Sequence, residues 1–241
     1  MQKRLDYLIT NAGLATRSEA KKMIRSGRIS SHGHILTDPS EKFEAETLSL
    51  CIDGTPVRLR QFVYLMMNKP TGVICATEDR CWKTVCDLLP PEYRPFAPYP
   101  VGRLDQDTEG FVLLTNDGEL THMILSPKRH IPKKYYVETE GAVTDLHRTL
   151  FACGILLSDG TPTLPAELTV LTSGEHSSAE LILYEGRFHQ VKRMFEAVNC
   201  RVTFLKRLEI GPLRLDPSLP LGTLRELTAR EQADLRAAIG K

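Results

Sequence analysis

Long apolar runs are missing from this sequence of 241 residues. No stretch approaches the roughly 20 apolar residues that a membrane helix needs, and the opening Met1-Gln-Lys-Arg-Leu-Asp6 has no apolar signal core. The chain is therefore expected to stay in the cytoplasm and to avoid membranes. Metal-binding cysteine spacing is missing too. The six cysteines, at 51, 75, 81, 86, 153 and 200, contain no Cys-x-x-Cys pair, and nothing near Cys81 and Cys86 completes a tetrahedral set, so reduced thiols and no metal are expected. An excess of charge is also absent, since 31 Lys and Arg against 30 Asp and Glu leave a net +1. Any affinity for nucleic acid must then rest on where the cations lie. No phosphate-cradling loop or dinucleotide fingerprint occurs either. What remains is 41% hydrophobic, enough for one substantial core and one small accessory domain.

The accessory domain is read at residues 1–58. Leu5, Leu8, Ile9 and Ala12 recur at helical spacing before Gly13, and Thr16-Arg-Ser-Glu19 is a capping box that opens a second helix ending at Gly27. Ala20, Met23 and Ile24 give that helix its buried face. Arg17, Lys21, Arg25 and Arg28 fall at i, i+4, i+8 and i+11, in one stripe. A solvated helix face usually mixes signs; four like charges in a row suit a phosphate backbone. Ile29 to Leu36 predicts a hairpin turning at His32-Gly33, and Leu48, Leu50 and Ile52 alternate ahead of a second turn at Asp53-Gly54. Two helices followed by small strands resemble the S4 RNA-binding domain.

A short linker, 59–63 with the neighbouring Arg58 and Arg60 charges, leads to a main domain at 64–241. Val63 to Met67 predicts a strand, Lys69-Pro-Thr-Gly72 a turn, Val73 to Ala76 a further strand and Thr84 to Leu89 a helix. The Pro-rich stretch from 90 to 100 is expected to be irregular. Beyond it come a strand at Phe111 to Leu114, a helix from Gly118 to Ser126, and a basic run from Lys128 to Lys134 ahead of the strand Tyr135 to Thr139. A helix from Thr144, strands at 164–171 and 179–184, a helix carrying Val191, Met194 and Phe195, strands at 201–205 and 210–215, and a last helix from Glu231 to Ile239 follow. The sum is an α+β protein with a mixed, largely antiparallel sheet.

The charged stretch Val101-Gly-Arg-Leu-Asp-Gln-Asp-Thr-Glu-Gly110 sits directly before the buried strand, so its carboxylates are anchored to a rigid element. Taken alone, Asp105 and Asp107 suit side-chain capping of a turn. The spacing of Asp105, Asp107, Glu109 and Gly110 also starts like a calcium loop, but Asn116 stands where a bidentate Glu is needed and a strand runs where a loop should be.

Gly102-Arg-Leu-Asp105, Thr108, Gly110 and Leu113-Leu-Thr-Asn-Asp-Gly118 resemble the signature of the RNA pseudouridine synthases that act on ribosomal RNA. Lys69-Pro-Thr-Gly72, Lys133-Lys-Tyr135 and Gly186-Arg-Phe-His-Gln-Val-Lys-Arg-Met194 are similar to further motifs of that family. The resemblance implies Asp105 as nucleophile, Tyr135 packed on the target base, and Lys192 as the cation paired with Asp105, with Arg193 in reserve. Tyr136 would then be the inward packing residue. It implies a cofactor-free isomerisation of a flipped-out uridine. Arg103, beside the nucleophile, would fill the vacated space or grip the backbone. Lys133, Arg187, Gln190 and Arg193 would meet RNA with Arg17, Lys21, Arg25 and Arg28, and Lys206-Arg207 would form one more RNA-facing pair.

The match is to the small-subunit branch, so a monomer acting on 16S RNA, free or in a partly assembled small subunit, is expected. Large-subunit (23S) RNA is the alternative substrate, and a non-catalytic RNA-binding assembly factor the alternative class. None of the seven histidines is given a chemical role.

Overall fold

The computed structural model describes residues 2–44, 47–57 and 59–240; Arg58, placed at the domain boundary from sequence, and the ends Met1 and Lys241 lie outside the described residues. In chain order the strands are β1 (Lys3–Arg4), β2 (Ile29–Ser31), β3 (His34–Ile35), β4 (Lys42–Phe43), β5 (Leu50–Ile52), β6 (Thr55–Val57), β7 (Tyr64–Lys69), β8 (Tyr99–Pro100), β9 (Glu109–Thr115), β10 (Lys133–Glu140), β11 (Glu167–Thr172), β12 (His176–Leu183), β13 (Arg201–Ile210), β14 (Leu213–Arg214) and β15 (Leu224–Glu226). The helices are α1 (Leu5–Asn11), α2 (Arg17–Arg25), α3 (Gly118–Leu125), α4 (Asp145–Cys153), α5 (Gln190–Glu196) and α6 (Ala229–Ala238).

Two compact units form. The first takes Met1–Val63 with Leu89–Tyr99 and Thr115–Asp117; the second takes Tyr64–Leu88, Pro100–Leu114 and Gly118–Lys241.

In the first unit the Thr16–Glu19 capping box is complete. The Thr16 hydroxyl accepts from the Glu19 amide at 3.3 Å, and the Glu19 carboxylate accepts from the Thr16 amide at 2.9 Å. Leu5, Ile9, Ala20, Ile24, Ile29 and Leu50 make the core. Asp6 is fully buried at the start of α1 and is held by a two-pronged bond from Arg4 at 2.9 and 3.0 Å. A four-stranded sheet runs β3-β2-β5-β6. Its two tight turns place His32 and Gly33, then Asp53 and Gly54, at positive φ, the conformation that two-residue hairpin loops require. Phe96 closes this unit against Gly13, where a Cβ would come within 2.7 Å of the ring.

The second unit is built on a sheet with the strand order β11-β12-β10-β13-β9-β7-β15, with β14 folded back on β13. The β13–β9 pair is parallel; β11–β12, β12–β10, β10–β13 and β7–β15 are antiparallel. The α+β class with a mixed, largely antiparallel sheet is thus observed. Gly110 to Thr115 are all buried, so both faces of β9 are covered, and the strand reads as a continuous apolar run for that reason. Phe111 and Leu113 face a core of Tyr64, Met66, Val101, Leu120, Ile124, Leu235 of α6 and Ile239 just after it.

Four local expectations are corrected. Val73 to Ala76 is no strand: Val73 and Cys75 are buried, but the segment has only the isolated bridge Ile74–Thr84. The helix expected from Thr84 is a 3-10 turn at Cys86–Leu88, because Asp87 turns back to accept from the Thr84 amide at 2.8 Å. The Pro-rich stretch contains a 3-10 turn at Arg94–Phe96 and the short β8. The strand expected at 210–215 is broken at Gly211, whose φ of +55° folds β14 back on β13. Among the described residues, no helix is long and apolar enough to cross a membrane.

Candidate active site

The loop before β9 is fixed from below by a lysine. Lys69, the last residue of β7, is fully buried, and its Nζ donates to the carbonyls of Thr108 at 2.7 Å, Asp105 at 3.0 Å, Pro70 at 3.1 Å and Gln106 at 3.2 Å. Burial pushes this ammonium below its ordinary range, while nearby thiol and carboxylate groups oppose the shift. Four carbonyl dipoles supply what water would otherwise give. The Gly72 amide donates to Gln106 O at 2.9 Å, and the Leu104 amide to Cys75 Sγ at 3.3 Å. At the far end Gly110 has φ +101°, and a Cβ there would lie 2.3 Å from the Arg207 carbonyl oxygen. Only glycine lets β13 come this close.

Asp105 is thereby held on the wall of a cavity of about 450 Å³, which Arg103, Tyr135, Lys133, Arg187, His189 and Arg207 also line. Its Oδ2 lies 3.5 Å from Lys192 Nζ and its Oδ1 lies 3.6 Å from His189 Nε2. Lys192 comes inward from the first turn of α5, while Arg193 turns to Asp159 at 2.5 Å. Between the two neighbouring cations the geometry selects Lys192. The nearer partner of Lys192 is Asp107, however, with both carboxylate oxygens at 2.6 and 2.7 Å. Burial raises the Asp107 carboxyl, but the hydrogen bonds and charge of Lys192 outweigh it and hold the group below the usual carboxylate range. Lys192 therefore bridges two carboxylates. Among the described residues, no group of three or more His, Cys, Asp and Glu side chains could hold a metal ion.

Tyr135 is 7% exposed and lines the cavity. The inward packing role expected of Tyr136 is corrected, since on the face opposite Tyr135 it is only half-buried. There its hydroxyl donates to Glu138 at 2.9 Å and its ring meets Phe204 edge-on. Arg103 is exposed at the cavity rim.

Four residues expected to meet RNA are engaged within the protein. Gln190 is buried; it accepts from the Arg187 amide at 2.9 Å and donates to Glu185 at 2.7 Å, cinching the loop that leads into α5. Arg187 itself pairs with Glu185 at 3.0 Å. Arg193 pairs with Asp159, as above. Arg207 is buried, and its Nε donates to Phe111 O at 2.7 Å. Lys133 lines the cavity, half-buried, with its Nζ donating to Ile131 O at 3.0 Å. Burial, with the charge of Arg207 second, brings its ammonium down to about 8.

In the first unit, Arg17 and Arg25 are exposed and Lys21 is half-buried on α2, while Arg28 is neutralised by Asp53, with Nε at 3.0 and 3.1 Å from the two carboxylate oxygens.

Sequence reasoning missed Lys69 and His189. The signal for Lys69 is a lysine closing an apolar strand pattern; the sequence places it in a turn and a family motif but gives its side chain no role. His189 stands just before α5 with φ +48°, a strained conformation for a histidine that clusters at functional sites. Its ring stacks on Phe188 with centroids 3.8 Å apart.

Residues 63–197 match the model of the RNA pseudouridylate synthases, and residues 3–48 match the S4 domain. An RNA pseudouridine synthase of Bacillus subtilis is 44% identical over 95% of this chain and 96% of its own. The ribosomal small subunit pseudouridine synthase A of Pasteurella multocida is 39% identical, covering 95% and 98%. The ribosomal large subunit pseudouridine synthase B of Bacillus subtilis is 37% identical, covering 97% and 96%. A crystal structure of a pseudouridylate synthase, 37% identical, superposes with a TM-score of 0.67 over 96% of this chain and 99% of that one. With the S4 domain in front and the Asp105 pocket behind it in sequence, this chain belongs to the RNA pseudouridine synthases.

Proposed function

We propose that the protein converts a uridine of small-subunit (16S) ribosomal RNA to pseudouridine, with Asp105 as the nucleophile. The observation that carries this reading is the Asp105 carboxylate, fixed through its own backbone by Lys69 and set 3.5 Å from Lys192 on the wall of a cavity lined by Tyr135. A carboxylate attacks only when ionised, and burial alone would silence it. Lys192 supplies the opposing charge, and Tyr135 covers the base and keeps water from the intermediate. The uridine reaches the pocket by flipping out of its stack, at a cost of about a few kcal/mol, and Arg103 at the rim fills the vacated space. Residues 1–58 act as the RNA clamp and 64–241 as the catalytic domain, in a cytoplasmic monomer that needs no cofactor.

The 39% identity to a small-subunit enzyme favours 16S RNA. The large-subunit relative at 37% keeps 23S RNA as the second reading. The test is tritium release from 5-tritiated uridine in each RNA. Wild type should release tritium on 16S RNA only. Asp105→Asn, which keeps the shape but cannot attack, should release none while binding RNA within about three-fold of wild type. Release on 23S RNA alone would move the assignment to the large subunit, and release by Asp105→Asn would remove the nucleophile.

A further inference from the structure

Two cations of the pocket have no part in the reaction as described so far. Arg207 is 2% exposed; its Nε is used by Phe111 O, but its Nη2 is shielded from solvent and meets no acceptor among the described residues. Lys133 has a carbonyl partner only. Their neighbours differ: Lys192, beside Asp105, has Asp105 and Asp107, and Arg187 on the cavity wall has Glu185, while Arg103 is exposed at the rim. Among the described residues neither Arg207 nor Lys133 has a carboxylate within ion-pair distance. The depressed ammonium of Lys133, set by burial and by Arg207 with no anion opposing, agrees with this.

The two are also placed together with the tyrosine. Lys133 and Tyr135 are two residues apart on β10, so they share a face, and Tyr135 stands opposite Arg207 on β13 at a break in register. All three line the cavity that holds Asp105. Buried positive charge without a counter-ion is costly to keep. A preorganised pair of donors in a partly dry pocket stabilises charge where charge develops.

On the pseudouridine synthase reading, we propose that Arg207 and Lys133 form an anion subsite that takes the carbonyl oxygens of the flipped uracil ring and carries the negative charge the ring acquires on leaving the sugar. Whichever atom Asp105 attacks, the bond from C1′ to N1 must break with its electron pair passing to the base. That charge spreads onto the two ring carbonyl oxygens. The base then turns, C5 forms the new bond to C1′, the C5 proton passes to water, and N1 regains a proton. Atoms and electrons balance without an added reactant. The charge exists only between the two bonds, so the subsite acts on rate and leaves RNA affinity to other residues.

The test uses the full chain with Arg207→Gln, Arg207→Lys and Lys133→Met. Single-turnover rate and RNA Kd are measured separately on 16S transcripts made with uridine or with 5-fluorouridine, whose fluorine stabilises the departing anion. Loss of the target nucleoside is read by liquid chromatography after digestion to nucleosides, because uridine and pseudouridine have the same mass and differ in retention. On uridine RNA the rate should fall roughly 100-fold or more in Arg207→Gln and roughly 10-fold in Lys133→Met, with partial recovery in Arg207→Lys and Kd within three-fold. On fluorouridine RNA both deficits should shrink by about ten-fold. Equal deficits on the two RNAs would overturn the subsite. So would a weakened Kd with a salt slope reduced by about one, which marks a phosphate contact instead. If Arg207→Gln fails to fold, Lys133→Met decides alone. Wild-type silence on both ribosomal RNAs would overturn the enzyme reading and the subsite with it, whereas an active wild type with unimpaired variants overturns the subsite only.

Discussion

At the scale of single residues, the site is arranged by cations with different tasks. Lys69 spends its charge on four carbonyls and does not line the cavity, Lys192 bridges two carboxylates, and Lys133 has no anionic partner among the described residues. The last case predicts a stability effect with a definite sign. The Lys133 ammonium sits at about 8 in the native state, below its ordinary 10.5. Below pH 8 both native and unfolded chains carry the proton, and the native state bears the full cost of burying it. Between pH 8 and 10.5 the native chain sheds the proton while the unfolded chain keeps it, so that cost is relieved as pH rises. Lys133→Met should therefore stabilise the protein at pH 7 by about 1–2 kcal/mol, allowing for the solvent-facing part of the side chain. The gain should dwindle across pH 8 to 10.5. Thermal melts of both proteins across that range check it, and a destabilised variant at pH 7 would refute the uncompensated charge.

Residue-level legibility was uneven for a physical reason. Asp105, Tyr135 and Lys192 carry side chains whose types suit the chemistry, so a motif can single them out. Asp105 and Tyr135 line one cavity, and Lys192 lies 3.5 Å from the Asp105 carboxylate. The tasks of Lys69, Gln190 and Arg207 depend on which carbonyl or carboxylate lies opposite, and those partners are 39, 5 and 96 residues away along the chain. No local pattern holds that information, and Gln190 and Arg207 were accordingly expected at the RNA surface when they are buried.

At the scale of elements, α2 gathers like charge along one face. Arg17, Lys21 and Arg25 have no ion-pair partner among the described residues, and Arg17 begins the helix, where the macrodipole disfavours a cation. Like charges at i, i+4 cost a further few tenths of a kcal/mol each. Arg28 was counted with them from sequence, but its guanidinium is occupied by Asp53 across the hairpin turn. Replacing Arg17, Lys21 and Arg25 together by Ala should therefore lower the slope of log K against log salt for RNA binding by about 2–3. Arg28→Ala alone should leave that slope unchanged. Equal effects from Arg28→Ala and from each stripe residue would mean that the Asp53 pair opens on RNA. The capping box and both hairpin turns were legible because each is settled within four residues. The segment at 73–76 was not, since an apolar run can be buried without any partner strand to bond it.

At the scale of the whole molecule, the fold class was readable from alternating and helical spacing, but the membership of the two units was not. A sequence pattern suggests one cut near residue 60. The first unit instead draws in residues 89–99 and 115–117 from far along the chain. Phe96, 8% exposed, lies against Gly13, and Asn116 accepts from the Val63 amide at 3.0 Å and donates to Gln61 O at 3.0 Å. Residues 1–63 are thus the packing partner of segments on either side of the Asp105 loop. A chain of residues 64–241 would expose the Phe96 ring and leave the Asn116 side chain without these two partners. Losing most of one aromatic burial costs about 2 kcal/mol and each broken hydrogen bond about 1 kcal/mol. Its melting temperature should fall by about 8 °C or more. A truncated chain that melts with the full protein would show instead that 89–99 and 115–117 are held by the catalytic sheet alone.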